Sequence, residues 1–287
     1  MRKLLSSPAF WRGLVSIAVF LVLWEVGSRS KQWMAPEFFQ PFKDMLGAMG
    51  FKKDYLPWIG AVPAPSAVLK SWIAVLGQPG YWQSWYMSFF RVIGGFFMAM
   101  LIGIPFGLSL AVSRVAHGVG FPVFEVLRPI PPLAWVPASI IFWPTQESAI
   151  TFITFLGAFY TIVINVLGGA RSIDVRYFQA AQSMGSSRWD IFRRIILPGT
   201  LPSIMVGSAV GMGITWEVVV AAEMISGGGS QQSGTGGGLG FFIWNSYVGG
   251  SYEQIVVGMI SIGIAGFVSS GLLRWGGRYA TPWLRSR

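Results

Sequence analysis

The sequence predicts an all-α, polytopic membrane protein with about six transmembrane helices. Hydrophobic residues make up 53% of the 287 residues and charged residues 11%, against roughly 25% charged in a soluble domain. Apolar runs recur at lengths near the ~20 residues that cross ~30 Å of hydrocarbon. The basic residues gather between those runs rather than within them.

In chain order, residues 14–26 form a short apolar run carrying Glu25. Its basic start (Arg2, Lys3, Arg12) suits a secretory leader, but no small-x-small cleavage site follows, so a retained anchor is expected. Residues 29–84 combine Pro36, Pro41, Pro57, Pro63, Pro65 and Pro79 with Trp33, Phe38, Phe39, Phe42, Trp58 and Trp72. The prolines exclude one long helix, and the aromatics argue for short helices at the membrane interface. One is expected after Pro65, with Ser66 near its start and Val68, Leu69, Trp72, Ile73 and Leu76 as an apolar stripe. This insert serves either as a docking surface for an outside partner or as packing over the first helix. Residues 92–112, 149–170 and 255–273 are charge-free spans. Residues 120–143 form a span interrupted by Glu125, Arg128 and five prolines, and residues 201–225 one that carries Glu217 and Glu223. The glycine-rich run 227–240 lacks the Gly-Lys-Ser/Thr ending of a phosphate loop and reads as a flexible linker. The chain thus divides into residues 1–28 (N-terminal start and first helix), 29–84 (outside insert) and 85–287 (a five-helix core with a cytoplasmic loop at 171–199).

Six spans put both termini on one side. Thirteen of the 21 Lys and Arg residues lie on that side, and the loops 144–148 and 226–253 carry none. The positive-inside rule places the termini in the cytoplasm; the six basic residues of 29–84 lie in a long segment that weighs less. The net charge of +10 therefore marks membrane orientation, not nucleic-acid binding. The chain has no cysteine and a single histidine, His117, expected in a short solvated loop. Disulfides, thiolate chemistry and a His-clustered metal site are excluded.

Residues 171–199 carry the sharpest local signals. Asp174 caps a helix from Val175 to Met184. Gly185 supplies the positive φ that ends it. Ser187 with Asp190 caps a second helix, and Pro198 and Pro202 bracket its entry into the membrane. Tyr177, Ala181 and Met184 share one face of the first helix. An amphipathic linker between spans fits the same pattern.

The stretch Gln179-Ala180-Ala181-Gln182-Ser183-Met184-Gly185, with Ile195-Ile196-Leu197-Pro198, resembles the EAA loop of ABC importer permeases. Gln179 stands where that pattern has Glu, which removes one ion pair from the resemblance. The segments from Arg128 to Pro137, Val220 to Met224 and Gly238 to Trp244 resemble the nitrate/sulfonate/taurine/bicarbonate branch of that family. The resemblance, from about Pro65 onward, implies a type I ABC importer permease fold in the bacterial inner membrane. It implies a second permease copy as partner (a homodimer), cytoplasmic ATPase subunits and a periplasmic substrate-binding protein. The cofactor expectation is none in this chain: ATP and Mg belong to the ATPase, and no Walker A motif occurs here. The coupling residues it implies are Gln179, Ala180, Ala181, Met184, Gly185 and Arg188.

Charges inside the membrane default to functional hypotheses. Arg128, beside Pro129, Pro131 and Pro132, is expected either on an anion pathway or in a structural pair with Glu125 or Glu217. Trp135, Trp216 and Glu217 are further pathway candidates. Arg91 is expected to snorkel to the outer interface. A permease for neutral solutes and a polytopic membrane enzyme are the alternatives; an enzyme needs clustered catalytic groups, and the charges here are scattered.

Overall fold

Backbone amides in hydrocarbon must be satisfied within their own segment, and the computed structural model meets this with helices. It describes residues 8–52, 54–226 and 237–284, among which no strand occurs. The chain divides into two compact units.

The first unit comprises Met1–Pro79 with Asn245–Met259. Its principal helix, α1 (Pro8–Ser28), is 21 residues long, enough for about 30 Å. Two shorter helices follow, α2 (Gln40–Ala48) and α3 (Pro65–Leu76). The insert packs on the end of α1. The Glu25 carboxylate accepts hydrogen bonds from Ser66 N at 3.0 Å and Ser66 Oγ at 2.8 Å, capping α3 from another helix. A Cβ at Gly27 would stand 2.7 Å from Ile59, and Trp33 Nε1 donates to Val26 O at 2.9 Å. The helix after Pro65 forms as expected, and its apolar stripe is split: Val68 is buried, Trp72 half-buried, and Leu69, Ile73 and Leu76 are exposed.

The second unit, Gly80–Trp244 with Ile260–Arg287, is built on α4 (Pro79–Val112), α5 (Arg114–Leu127), α6 (Val136–Phe142) and α7 (Gln146–Arg171). It continues with α8 (Val175–Ser183), α9 (Arg188–Ile191) and α10 (Leu197–Ser226), then with α11 (Leu239–Val248) as far as Trp244 and α12 (Tyr252–Ala280) from Ile260. Glycines set the helix spacing. Gly95 lies against Thr154, Gly103 against Ile162 and Gly107 against Val166, so α4 and α7 run parallel. Gly157 meets Val218, Gly207 meets Asn165 and Gly169 meets Ser203, so α7 and α10 run antiparallel. Trp216 Nε1 donates to Ser269 Oγ at 3.0 Å and Gly277 meets Met205, which makes α10 and α12 antiparallel.

Among the described residues, six stretches are long and apolar enough to cross a membrane: Phe10–Ser28, Ile59–Leu76, Pro79–Val112, Gln146–Arg171, Arg188–Ile225 and Tyr252–Ala280. Their number matches the sequence expectation; their membership does not. Within Ile59–Leu76 the continuous helix is α3, of 12 residues, about 18 Å long. The expected span 120–143 is instead in pieces, α5, a 3₁₀ turn Pro132–Trp135 and α6. Because α4 and α7 are parallel, those pieces together must carry the chain back across. Prolines explain the break: Pro129, Pro131 and Pro132 remove consecutive amide donors. His117 is not in a loop but in α5, stacked on Phe121 at 4.7 Å.

Candidate coupling elbow and membrane pathway

The elbow forms where its caps demand. Asp174 Oδ1 accepts Arg176 N at 2.9 Å and starts α8. Gly185, at φ 75°, ends it. Gly185 N bonds Gln182 O at 2.9 Å and Ser186 N bonds Ala181 O at 3.0 Å, the paired closure of a Schellman motif. Ser187 Oγ then accepts Asp190 N at 3.2 Å and donates to Asp190 Oδ2 at 2.5 Å.

From α9 the helix does not stop. A π-helical turn, Phe192–Ile196, joins α9 to α10 without a loop. Pro198 cannot donate to the carbonyl one turn back and its ring crowds it, which accounts for the wider turn. One helical run therefore leads from Arg188 to the far end of α10.

The expected coupling residues are not equally placed. Gln179, Ala180, Met184, Gly185 and Arg188 are exposed, with Met184 at 78%. Ala181 is turned into its own chain at 5% exposure, so it does not share an outer face with Tyr177 and Met184. Trp189, not singled out in the sequence, is 67% exposed and stacks on Phe192. Tyr177, Met184 and Trp189 thus leave a large apolar surface open on a capped, polar turn. An unburied tryptophan directly behind a Ser-x-x-Asp cap was the available signal.

The pathway candidates separate. Arg128 Nη2 pairs with Glu125 Oε1 at 2.9 Å, both side chains partly exposed; this is the i,i+3 pair rather than one with Glu217. Trp216 is buried between α10 and α12. Trp135 is half-buried, and its Nε1 is shielded without a hydrogen-bond partner among the described residues. Glu217 is exposed and, among the described residues, has no ion pair or hydrogen bond. It lies on the one open face of α10, with Val206 and Val210.

The strongest polar cluster was missed. Arg91 does not snorkel; it is 8% exposed and donates through Nε to Glu147 Oε2 at 2.8 Å and through Nη1 to Glu223 Oε1 at 2.8 Å. Its Nη2 also binds Glu147 Oε1. Glu223, 1% exposed, further accepts from Ser88 Oγ at 2.8 Å and Gly240 N at 2.9 Å. Ser88 Oγ in turn accepts Leu239 N at 2.8 Å. Four helices, α4, α7, α10 and α11, are fastened at the end opposite the elbow. Residues 227–236 of the glycine-rich run lie outside the described residues. No group of three or more His, Cys, Asp or Glu among the described residues is arranged to hold a metal.

These features define a class: a multi-pass helical membrane protein whose longest helical run ends in an exposed elbow. A family model described as binding-protein-dependent transport system inner membrane component matches residues 103–286. The nitrate import permease protein NrtB of Leptolyngbya laminosa is 35% identical over 193 residues, covering 67% of this chain and 66% of that protein. The taurine transport system permease protein TauC of Escherichia coli K12 is 32% identical over 227 residues, 77% of this chain and 80% of that protein. A solved bacterial ABC transporter involved in the import of the acidic polysaccharide alginate shares the fold, with a TM-score of 0.57 at 14% identity over 94% of this chain and 97% of that one. The chain belongs to the family of binding-protein-dependent transport system inner membrane components. It is a multi-pass inner-membrane permease subunit of an importer and not an enzyme.

Proposed function

We propose that this chain forms half of the membrane pathway for a small oxyanion or sulfonate, driven by ATP hydrolysed on a separate chain. A second copy completes the pathway, and the open face of α10 with Glu217 meets it. Each elbow docks on a cytoplasmic ATPase subunit, which holds ATP and Mg. A periplasmic binding protein delivers the solute, and both termini are cytoplasmic. The nitrate and taurine permeases among the relatives support an anionic solute.

One observation carries this reading: the exposed surface of Tyr177, Met184 and Trp189 sits on an elbow continuous with α10. Closure of the ATPase pair then pulls the elbow, and α10 transmits the movement without a hinge loop. Gly185 tests it. Nothing stands within 4 Å of a Cβ there, so a substitution meets strain, not a clash. Holding a non-glycine residue at positive φ costs about 1–2 kcal/mol, enough to re-aim α8. Gly185→Val is expected to insert normally, hydrolyse ATP in the assembled transporter and lose most uptake in proteoliposomes. Uptake equal to wild type would overturn the docking assignment.

A further inference from the structure

We infer that the elbow-side end of the second unit holds a binding site for a phosphate-bearing anion, separate from the pathway. The α4–α5 turn and the end of α7 flank an open cleft of about 450 Å³ lined by Ser113, Arg114, His117 and Arg171. No carboxylate lines it. Neither guanidinium has an ion pair or hydrogen bond with any described residue. Two unneutralised arginines on one cleft repel each other, and an anion between them removes that repulsion.

The surrounding groups are donors. Ser113 Oγ accepts Ala116 N at 3.2 Å and its carbonyl accepts His117 N at 2.9 Å. The first-turn amides of Arg114 and Val115 are left without partners inside the 14-residue helix α5, at the end where its dipole favours negative charge. His117 is held by its stack on Phe121. Its Nε2 is shielded and without a partner, so Nδ1 is the ring nitrogen that can meet a ligand. Two guanidinium forks, backbone amides and an imidazole offer more donors than a carboxylate accepts, and suit the oxygens of a phosphate. The volume exceeds that of inorganic phosphate, which leaves room for an ester substituent.

Two sources share this chemistry: the headgroup of an anionic phospholipid and a free phosphate. Arg171 stands three residues before Asp174, so an anion held there fastens the stem of the elbow to the α4–α5 turn. The full chain, purified in detergent with its co-purifying subunits and stripped of lipid, provides the test. Wild type and Arg114→Gln/Arg171→Gln are titrated with phosphatidylglycerol, with phosphatidylcholine (by native mass spectrometry) and with inorganic phosphate (by equilibrium binding). The double variant is expected to bind at least about tenfold more weakly, the loss of one charge-assisted hydrogen bond or more. Arg114→Lys/Arg171→Lys, which keeps the charge, is expected to recover part of that loss. Preference for phosphatidylglycerol alone assigns the lipid source, and binding of inorganic phosphate assigns the soluble one. Equal binding of every probe by wild type and by a double variant of unchanged melting temperature overturns the site, as does no binding by wild type.

Discussion

Arg128 shows what a single charge can and cannot reveal. Its place in a proline-broken crossing made it conspicuous, and its partner Glu125, three residues earlier, was legible because i and i+3 adjoin on any helix. The pair is partly exposed, at 39% and 43% of the two side chains, so it contributes little to stability, about 0–1 kcal/mol. One carboxylate contact also leaves most of the guanidinium's donors open. On the proposed reading those donors meet the passing anion. Arg128→Gln is therefore expected to leave melting temperature almost unchanged and to slow uptake of nitrate or taurine several-fold, measured in the reconstituted transporter. Uptake of the anion unaffected by the change would remove Arg128 from the pathway. Glu217 follows the opposite logic: its exposure depends on which chain covers α10, and one sequence holds no record of that.

Elements were legible in proportion to how local their causes are. The elbow follows from Asp174, Gly185, Ser187 and Asp190, each acting within a few residues, and its helices begin and end where those caps place them. The Arg91 cluster was illegible for the converse reason. Arg91 meets Glu147 and Glu223 across 56 and 132 residues, and only the tertiary packing of α4, α7 and α10 makes the three one group. The same applies to the cap on α3, which Glu25 supplies from α1 across 41 residues. The two partners of Arg91 differ in burial: Glu223 is enclosed and Glu147 is largely open. Removing one partner of a buried pair costs roughly 3–5 kcal/mol, whereas an exposed partner contributes about 1 kcal/mol or less. Glu223→Gln is thus expected to lower thermal stability in detergent clearly more than Glu147→Gln. Equal shifts for the two variants would mean that Glu223 does not hold α11 and α10 to α4.

At the scale of the whole molecule, the parallel pairing of α4 and α7 decides the topology. Helical length and hydropathy together favour Ile59–Leu76 as a crossing over the broken segment between α4 and α7. The glycine contacts along α4 require the opposite, since two parallel helices joined in sequence need a full return between them. That return ends near Pro144, and α7 then leads to Ser172 and the elbow. The two positions consequently lie on opposite sides of the bilayer. The arginines of the elbow and of the end of α12 lie on the Ser172 side, which the proposed orientation puts in the cytoplasm. The chain has no cysteine, so a single introduced thiol reports its own position without a background. In intact cells a membrane-impermeant maleimide is expected to label Pro144→Cys, and to label Ser172→Cys only after permeabilisation. Labelling of both from outside would mean that α7 does not cross the bilayer. Labelling of Ser172→Cys alone would reverse the direction of α7 and place the elbow outside, out of reach of any ATPase.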